Sequence, residues 1–315
     1  MAFDELCDEV ILNCEDGKDF AYILKLTYLN EFEKIKNLDY KKFGIIEKDD
    51  LLFYGKNYPL FKSLLFFNEI PVFRKEKESI LFLKSIEINP KDTLNSLSYK
   101  EKIKLGNEFL KRCLKFVSKE YINYIPYLIF GKEYYFKGVC LKEYVSALNG
   151  LYKIGKKNKV KKLIINRELP NEKDVKKYKK KLAKKIILFK EKLNIYEINY
   201  FNLKFNNKNF KCQYIYIKQS FWDKISGLFG EGIELKYYPT LVNIAYSSEK
   251  VDFMKPLFIF VDGGDISVYA KVPKLIYLKD ELTLNHLNLK GKYVYFGNWK
   301  KDKFWEIVGK KDEKI

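Results

Sequence analysis

Histidine is all but missing from this 315-residue chain: there is one, His286. Hydrolytic metal sites and general-base catalysis usually lean on several imidazoles or a tight carboxylate cluster, and neither stands out here. No metal or other cofactor is therefore expected, and His286, in LTLNHLNLKGK, reads as a surface or turn residue. Cysteine is also sparse. Cys7, Cys14, Cys113, Cys140 and Cys212 are odd in number and never fall at CxxC spacing, which argues against a zinc ribbon or a disulfide framework and for reduced, mostly buried thiols. No apolar run is long enough to span a bilayer, and the start MAFDELCDEV is acidic where a secretory leader would be basic and then apolar. The expectation is a soluble, cytoplasmic protein with no membrane attachment.

Acid is in short supply as well: 41 Asp and Glu face 60 Lys and Arg, for a net charge of +19 and a pI near 9.3. Such a balance suits a polyanionic partner, because phosphates attract lysines without regard to sequence. What the chain has in plenty is apolar and aromatic surface, 47% and 17% of residues, ample for two domains with real cores. The basic charge is concentrated. Between Leu151 and Lys192 stand 17 Lys or Arg against 4 Asp or Glu, so 13 of the 19 net charges occupy about an eighth of the chain. A solvated lysine-rich surface, of the kind heat-adapted proteins carry, explains this composition without any ligand; a phosphate-binding surface is the sharper reading.

That stretch follows an apolar helix. In GVCLKEYVSALNGLYKIGKKNKVKK, Val139, Leu141, Tyr144, Val145, Leu148 and Leu151 recur at helical spacing until Asn149, Gly150 and Gly155 interrupt them. Upstream, residues 3–42 predict helix, loop, helix, FGIIEKDDLLFYG predicts a turn at Lys48 to Asp50, and Tyr58 to Phe67 a short aromatic helix. Ile80, Leu81 and Leu83 predict the start of a buried helix. Ser98 with Glu101 has capping-box spacing and opens a long helix to Lys119. Downstream, VKKLIIN (160–166) predicts a strand, and Pro170 leads into a helix with Val175, Tyr178, Leu182, Ile186, Phe189 and Leu193 on one stripe. Lys173, Lys176, Lys177, Lys180, Lys184 and Lys185 fill its other sides. SFWDKISGLFG predicts a short helix, and KPLFIFVDGGDISVYAKVP a hairpin turned at Asp262, Gly263 and Gly264. The expected fold class is α+β or α/β: a helical part over 1–125, its boundary between Lys119 and Gly131, then a mixed α/β domain over 126–315.

The order of these segments resembles the archaeal RecJ-like proteins of the DHH phosphoesterase superfamily. A family segment close to EFSTLLNACGRLGKP is matched by Glu143-Tyr144-Val145-Ser146-Ala147-Leu148-Asn149 and then Gly155-Lys156, and a family hairpin by Lys255 to Phe260 followed by Gly264, Val268, Ala270 and Lys271. FGIIEKDDLLFYGKNYPLFKSLLFFNEIPVF and FLKSIEINPKDTLNSLSYKEKIKL are similar to the family's connector. The resemblance implies that 1–125 corresponds to the end of the DHH domain with its connector, and 126–315 to the DHH-associated C-terminal domain. The departures matter more. Nothing reads DHH or HxDxD, so the metal-holding catalytic domain is expected to be absent. LNCEDGK is similar to a GDxQD ligand motif, but with Asn13 in place of the ligand aspartate and only Asp16 left. The GGGH motif is reduced to Gly291 and Gly297, and the arginine of LNACGR is Lys153, preceded by Tyr152.

By this resemblance the protein is expected to be a catalytically inactive RecJ-like protein that binds single-stranded nucleic acid and docks to GINS or replicative helicase components. The resemblance places Lys153 and Lys271 where the family grips phosphate with arginines. Lysine keeps the attraction but loses bidentate geometry. The candidate nucleic-acid-binding residues are Asn149, Tyr152, Lys153, Lys156, Lys157 and Lys271, with Tyr152 a candidate for base stacking. The alternative is an active, manganese- or magnesium-dependent single-strand exonuclease or phosphodiesterase, for which Glu15, Asp16, Asp262 and Asp265 are the only candidate ligands. Asp262 and Asp265 fit a hairpin turn better. A third reading is a structural subunit whose basic helix meets an acidic protein.

Overall fold

The computed structural model describes residues 3–218 and 233–309. It is an α+β protein with a helical N-terminal part. The chain divides into two compact units, each built from three stretches: residues 1–67, 75–115 and 125–183 form the first, and 68–74, 116–124 and 184–315 the second. The division does not follow the expected boundary near 125. The reason is packing. Helix α1 (Phe3–Asn13), helix α2 (Lys18–Tyr28), helix α8 (Leu141–Lys153) and helix α9 (Lys157–Ile165) share one core, in which Phe3, Phe20 and Leu24 meet Tyr144, Leu148, Leu151 and Ile164.

The first unit also holds α3 (Phe32–Ile35), α4 (Leu60–Leu65), α5 (Glu76–Ser85), α6 (Tyr99–Cys113) and α7 (Pro126–Ile129). Ser98 caps α6 as its sequence promises: its hydroxyl accepts from the Glu101 amide while the Glu101 carboxylate accepts from the Ser98 amide at 2.8 Å. The helix ends at Cys113, short of Lys119. In α5, Leu83 is buried, but Leu81 is exposed and the core position falls to Phe82. The expected turn at Lys48 to Asp50 is instead a strand, β1 (Ile45–Leu51), antiparallel to β2 (Phe130–Phe136), which pairs on with β3 (Val139–Cys140). Lys-Asp-Asp has the composition of a turn, yet Asp50 turns inward to meet Lys56, Lys102 and Tyr135. The 160–166 segment is likewise helical, not a strand. Val160, Leu163 and Ile164 stand at i, i+3 and i+4 and are all buried, a pattern that so short an apolar run conceals.

Helix α10 (Glu172–Ile195) crosses from one stretch of chain to the next. The second unit is organised by a six-stranded sheet in the order β4 (Asn199–Phe205), β5 (Lys208–Lys218), β6 (Leu257–Asp262), β7 (Ile266–Lys271), β9 (Val294–Trp299) and β8 (Lys290–Gly291). All pairs are antiparallel except β5 with β6. β6 and β7 form the expected hairpin, and every residue of β6 is buried because both sheet faces are covered. On one face Phe201, Phe258, Phe260, Tyr295 and Trp299 make a core with Phe304 of the C-terminal helix α13 (Lys301–Val308); on the other lies α11 (Tyr238–Ala245), whose Tyr238 stacks on Tyr269 at 5.2 Å. Helix α12 (Lys274–Asp280) completes the unit. The helix expected at SFWDKISGLFG lies outside the described residues.

Candidate nucleic-acid interface

Helix α8 ends because Gly155 takes φ +85°, a left-handed turn that side chains resist. Gly155 N bonds Tyr152 O and Lys156 N reaches back to Leu151 O, both at 3.0 Å, so the helix closes on a Schellman motif and α9 starts at once. This turn sends the basic residues in different directions. Lys156 pairs with Asp174 at the start of α10, Lys157 with Glu9 at 2.8 Å, and Lys161 also with Glu9. Asp174 accepts from Lys159 as well, and these two ammonium groups hold its carboxyl down to about 2.

Lys153 and Lys271, expected at a phosphate-gripping surface, are both buried. Lys153 is 8% exposed and belongs to the first unit; Lys271 is 2% exposed and belongs to the second. Burial of a lysine requires a partner, and Lys271 has several: Asn243 Oδ1 at 2.5 Å, Glu69 at 3.5 Å and the Tyr246 ring at 4.9 Å. Burial pushes the Glu69 carboxyl up, but Lys271 and Lys274 outweigh it and hold Glu69 at about 2. Burial lowers Lys271, with Glu69 opposing. Lys271 is thus a core cation, not a phosphate clamp. Tyr152 is half-buried against the N-terminal core, where burial raises its phenol, and Asn149 is half-buried on α8. Of the six named residues, only Lys156 and Lys157 keep partly open ammonium groups, and both are in ion pairs.

The positive surface that does face water lies further on. Lys162 on α9, and Lys173, Lys176, Lys177, Lys179, Lys180 and Lys184 on α10, are exposed. Lys176 pairs with Glu172, also exposed, a contact of small energetic weight. Tyr178, Phe189 and Leu193 of the α10 stripe are buried, as its period demands, but so is Lys185, whose ammonium lies 4.0 Å from Glu234. Lys185 therefore leaves the open row. Against another side of α10 lies a group that sequence reasoning passed over. Lys179 Nζ stands 4.6 Å from the centre of the Tyr58 ring, and Tyr58 and Tyr54 each meet Phe66 edge-on, at 5.6 and 6.1 Å. The signal in YGKNYPLFKSLLF was the spacing of rings around Gly55.

The candidate metal ligands do not assemble. Glu15 pairs with Lys18, Asp16 offers its carbonyl to Arg167, and Asp262 accepts from Tyr216, Gly264 and Lys301 in the hairpin turn. Among the described residues no three His, Cys, Asp or Glu converge as a metal site would need, and no helix is long and apolar enough to cross a membrane. The cysteines are free, with Cys7, Cys113, Cys140 and Cys212 buried. His286 is exposed in a single 3-10 turn, Asn285–Leu287, against Phe205.

Comparison with models of known protein families finds no match. The chain is 85% identical, over 308 residues covering 98% of both sequences, to the uncharacterized protein MJ1071 of Methanocaldococcus jannaschii. This chain belongs to that protein's family. In this member of the MJ1071 family, among the described residues, exposed lysines line α10 and include Lys162 of α9, whereas Lys156, Lys157 and Lys159 near the helix-breaking turn are in ion pairs.

Proposed function

We propose that this protein is a RecJ-like relative without phosphodiesterase activity, which binds single-stranded nucleic acid through its phosphates. The observation that carries this reading is the row of exposed lysines, Lys162, Lys173, Lys177 and Lys180, none of which is in an ion pair among the described residues. Lysine ammonium groups act as point charges, so the binding is independent of sequence and falls with salt. The interface therefore moves from the Lys153 and Lys271 pair to the basic face of α10. The RecJ-like resemblance supplies the class of protein partner, GINS or replicative helicase components, and a single-stranded substrate.

Fluorescence anisotropy of a labelled oligonucleotide, titrated at several salt concentrations, tests this. Three or four phosphate contacts give a log–log slope of about −2 to −3 for a single strand. Lys173→Glu/Lys177→Glu/Lys180→Glu is expected to flatten that slope and weaken binding at least tenfold, whereas Lys271→Met is expected to leave the slope unchanged. An unchanged slope in the triple variant refutes the interface. Manganese-dependent degradation of the strand by purified protein, lost in Asp16→Ala, refutes the inactive reading.

A further inference from the structure

We infer that Tyr54, Tyr58 and Phe66 form a base-stacking platform beside the basic helix, and that it is what makes the protein prefer single strands. The inference rests on the proposed function and adds to it the part of the ligand that is recognised. Exposed aromatic rings are common, but here the exposed Tyr54 and the half-buried Tyr58 each pack on Phe66. Tyr54 is 43% and Phe66 41% exposed, although the loop between Phe53 and Tyr58 is tied at almost every residue. Phe53 is buried against Phe67 and Phe109 at 5.3 and 5.0 Å. The Glu143 carboxylate accepts from the amides of Gly55 and Lys56 at 2.9 and 2.7 Å, and the Ser63 hydroxyl donates to Gly55 O at 2.7 Å.

Gly55 is what lets the rings close. It has φ +84°, and a Cβ there would stand 3.1 Å from Tyr58 Cδ2 and 3.2 Å from Phe66 Cδ2. Two aromatic side chains thus fold over a bare backbone, and the Tyr54 hydroxyl bonds Ser146 Oγ at 3.3 Å. A platform fixed in this way has little freedom left to lose on binding. Charge then selects the occupant. Lys179 stands over Tyr58, with Lys176 one turn earlier on the same side of the helix, so a ligand with flat rings linked by anions matches both halves. Single-stranded nucleic acid has that alternation. A duplex hides its base faces and offers phosphates alone.

The experiment compares three probes on the full chain: a fifteen-residue oligothymidylate, an abasic strand of equal length and charge, and a duplex. Wild type is expected to bind oligothymidylate at least ~tenfold more tightly than the abasic strand, in keeping with the usual worth of one or two stacked bases. Tyr54→Leu/Phe66→Leu is expected to abolish that preference while the salt slope persists, and Phe66→Tyr, which keeps a ring, to retain it. Equal binding of the three probes by wild type overturns the platform and leaves the proposed function standing, as does a preference that survives in the double variant. Binding of none of the probes overturns both. Tighter binding of poly-glutamate than of oligothymidylate at equal charge also overturns the platform, since an acidic chain without bases would then be the better ligand.

Discussion

Asp50 is the residue whose loss should hurt the first unit most. Its side chain is 3% exposed, and it faces Lys56 Nζ at 3.1 Å, Lys102 Nζ at 2.9 Å and the Tyr135 hydroxyl; the Lys56 side chain is 1% exposed and also donates to Leu51 O. Burial pushes the Asp50 carboxyl up, but Lys56, Tyr135 and Lys102 together bring it net below the usual carboxylate range. At an effective dielectric of ~20, unit charges 3 Å apart attract by about 5 kcal/mol, comparable to what desolvating the two ions costs. The pair is therefore close to neutral while intact. Removing the acid alone leaves a buried ammonium with one carbonyl for company, so Asp50→Ala is expected to cost about 3–5 kcal/mol. Asp50→Ala/Lys56→Met removes the orphaned charge and should cost only about 1–3 kcal/mol, the Tyr135 hydroxyl still lacking its acceptor. Native-state hydrogen exchange on the β1 and β2 amides isolates this unit from the rest of the chain. The expected acceleration is roughly two to four orders of magnitude for the single variant. If the single variant exchanges within tenfold of wild type, or the double is worse than the single, the reasoning about the buried pair is wrong.

Gly106 on α6 leaves no room for a methyl group: a Cβ would lie 2.3 Å from Phe130 Cζ and 2.8 Å from Leu51 Cδ2, so Gly106→Ala should cost about 1–3 kcal/mol despite the better helix former, read by the same exchange measurement. A stabilised Gly106→Ala would mean that α6 and β2 are less closely packed than described. Glu69 titrates at about 2 in the folded protein, below its ordinary 4.5, so its contribution is complete above pH 4.5 and is lost as pH falls toward 2. The stability gap between wild type and Glu69→Gln, followed by urea unfolding, should therefore close across that acid range; parallel curves would contradict the assignment.

Much of the architecture could be read from local pattern. The capping box at Ser98, the stripe of Tyr178, Phe189 and Leu193, and the hairpin at Asp262 to Gly264 each announce themselves within a few residues. What failed depends on partners far off in sequence. Lys153 and Lys271 looked like surface cations because burial of a lysine is decided by its surroundings, in one case by Glu69 and Asn243, which no window around residue 271 contains. Asp50 reads as a turn former for the same reason, since Lys102 and Tyr135 lie far from it in sequence. The ring cluster at Tyr54, Tyr58 and Phe66 was legible as composition, but its exposure was not: an aromatic run predicts a core, and only the packing of Phe53 beneath it shows which rings were left outside.

The threading of the chain sets how the protein can be taken apart. Because the second unit borrows residues 68–74 and 116–124, no single scission yields it whole. A fragment starting at Lys184 would keep Lys271 beside Asn243 and the Tyr246 ring but forfeit Glu69, its carboxylate, and would lose Glu120 and Tyr121, which meet Lys279. Expression of either half as a separate product should give an incomplete core. Genetic rearrangement meets the same obstacle: a recombination event could exchange this protein's halves only by moving three segments together, so the two units are bound to be inherited as one.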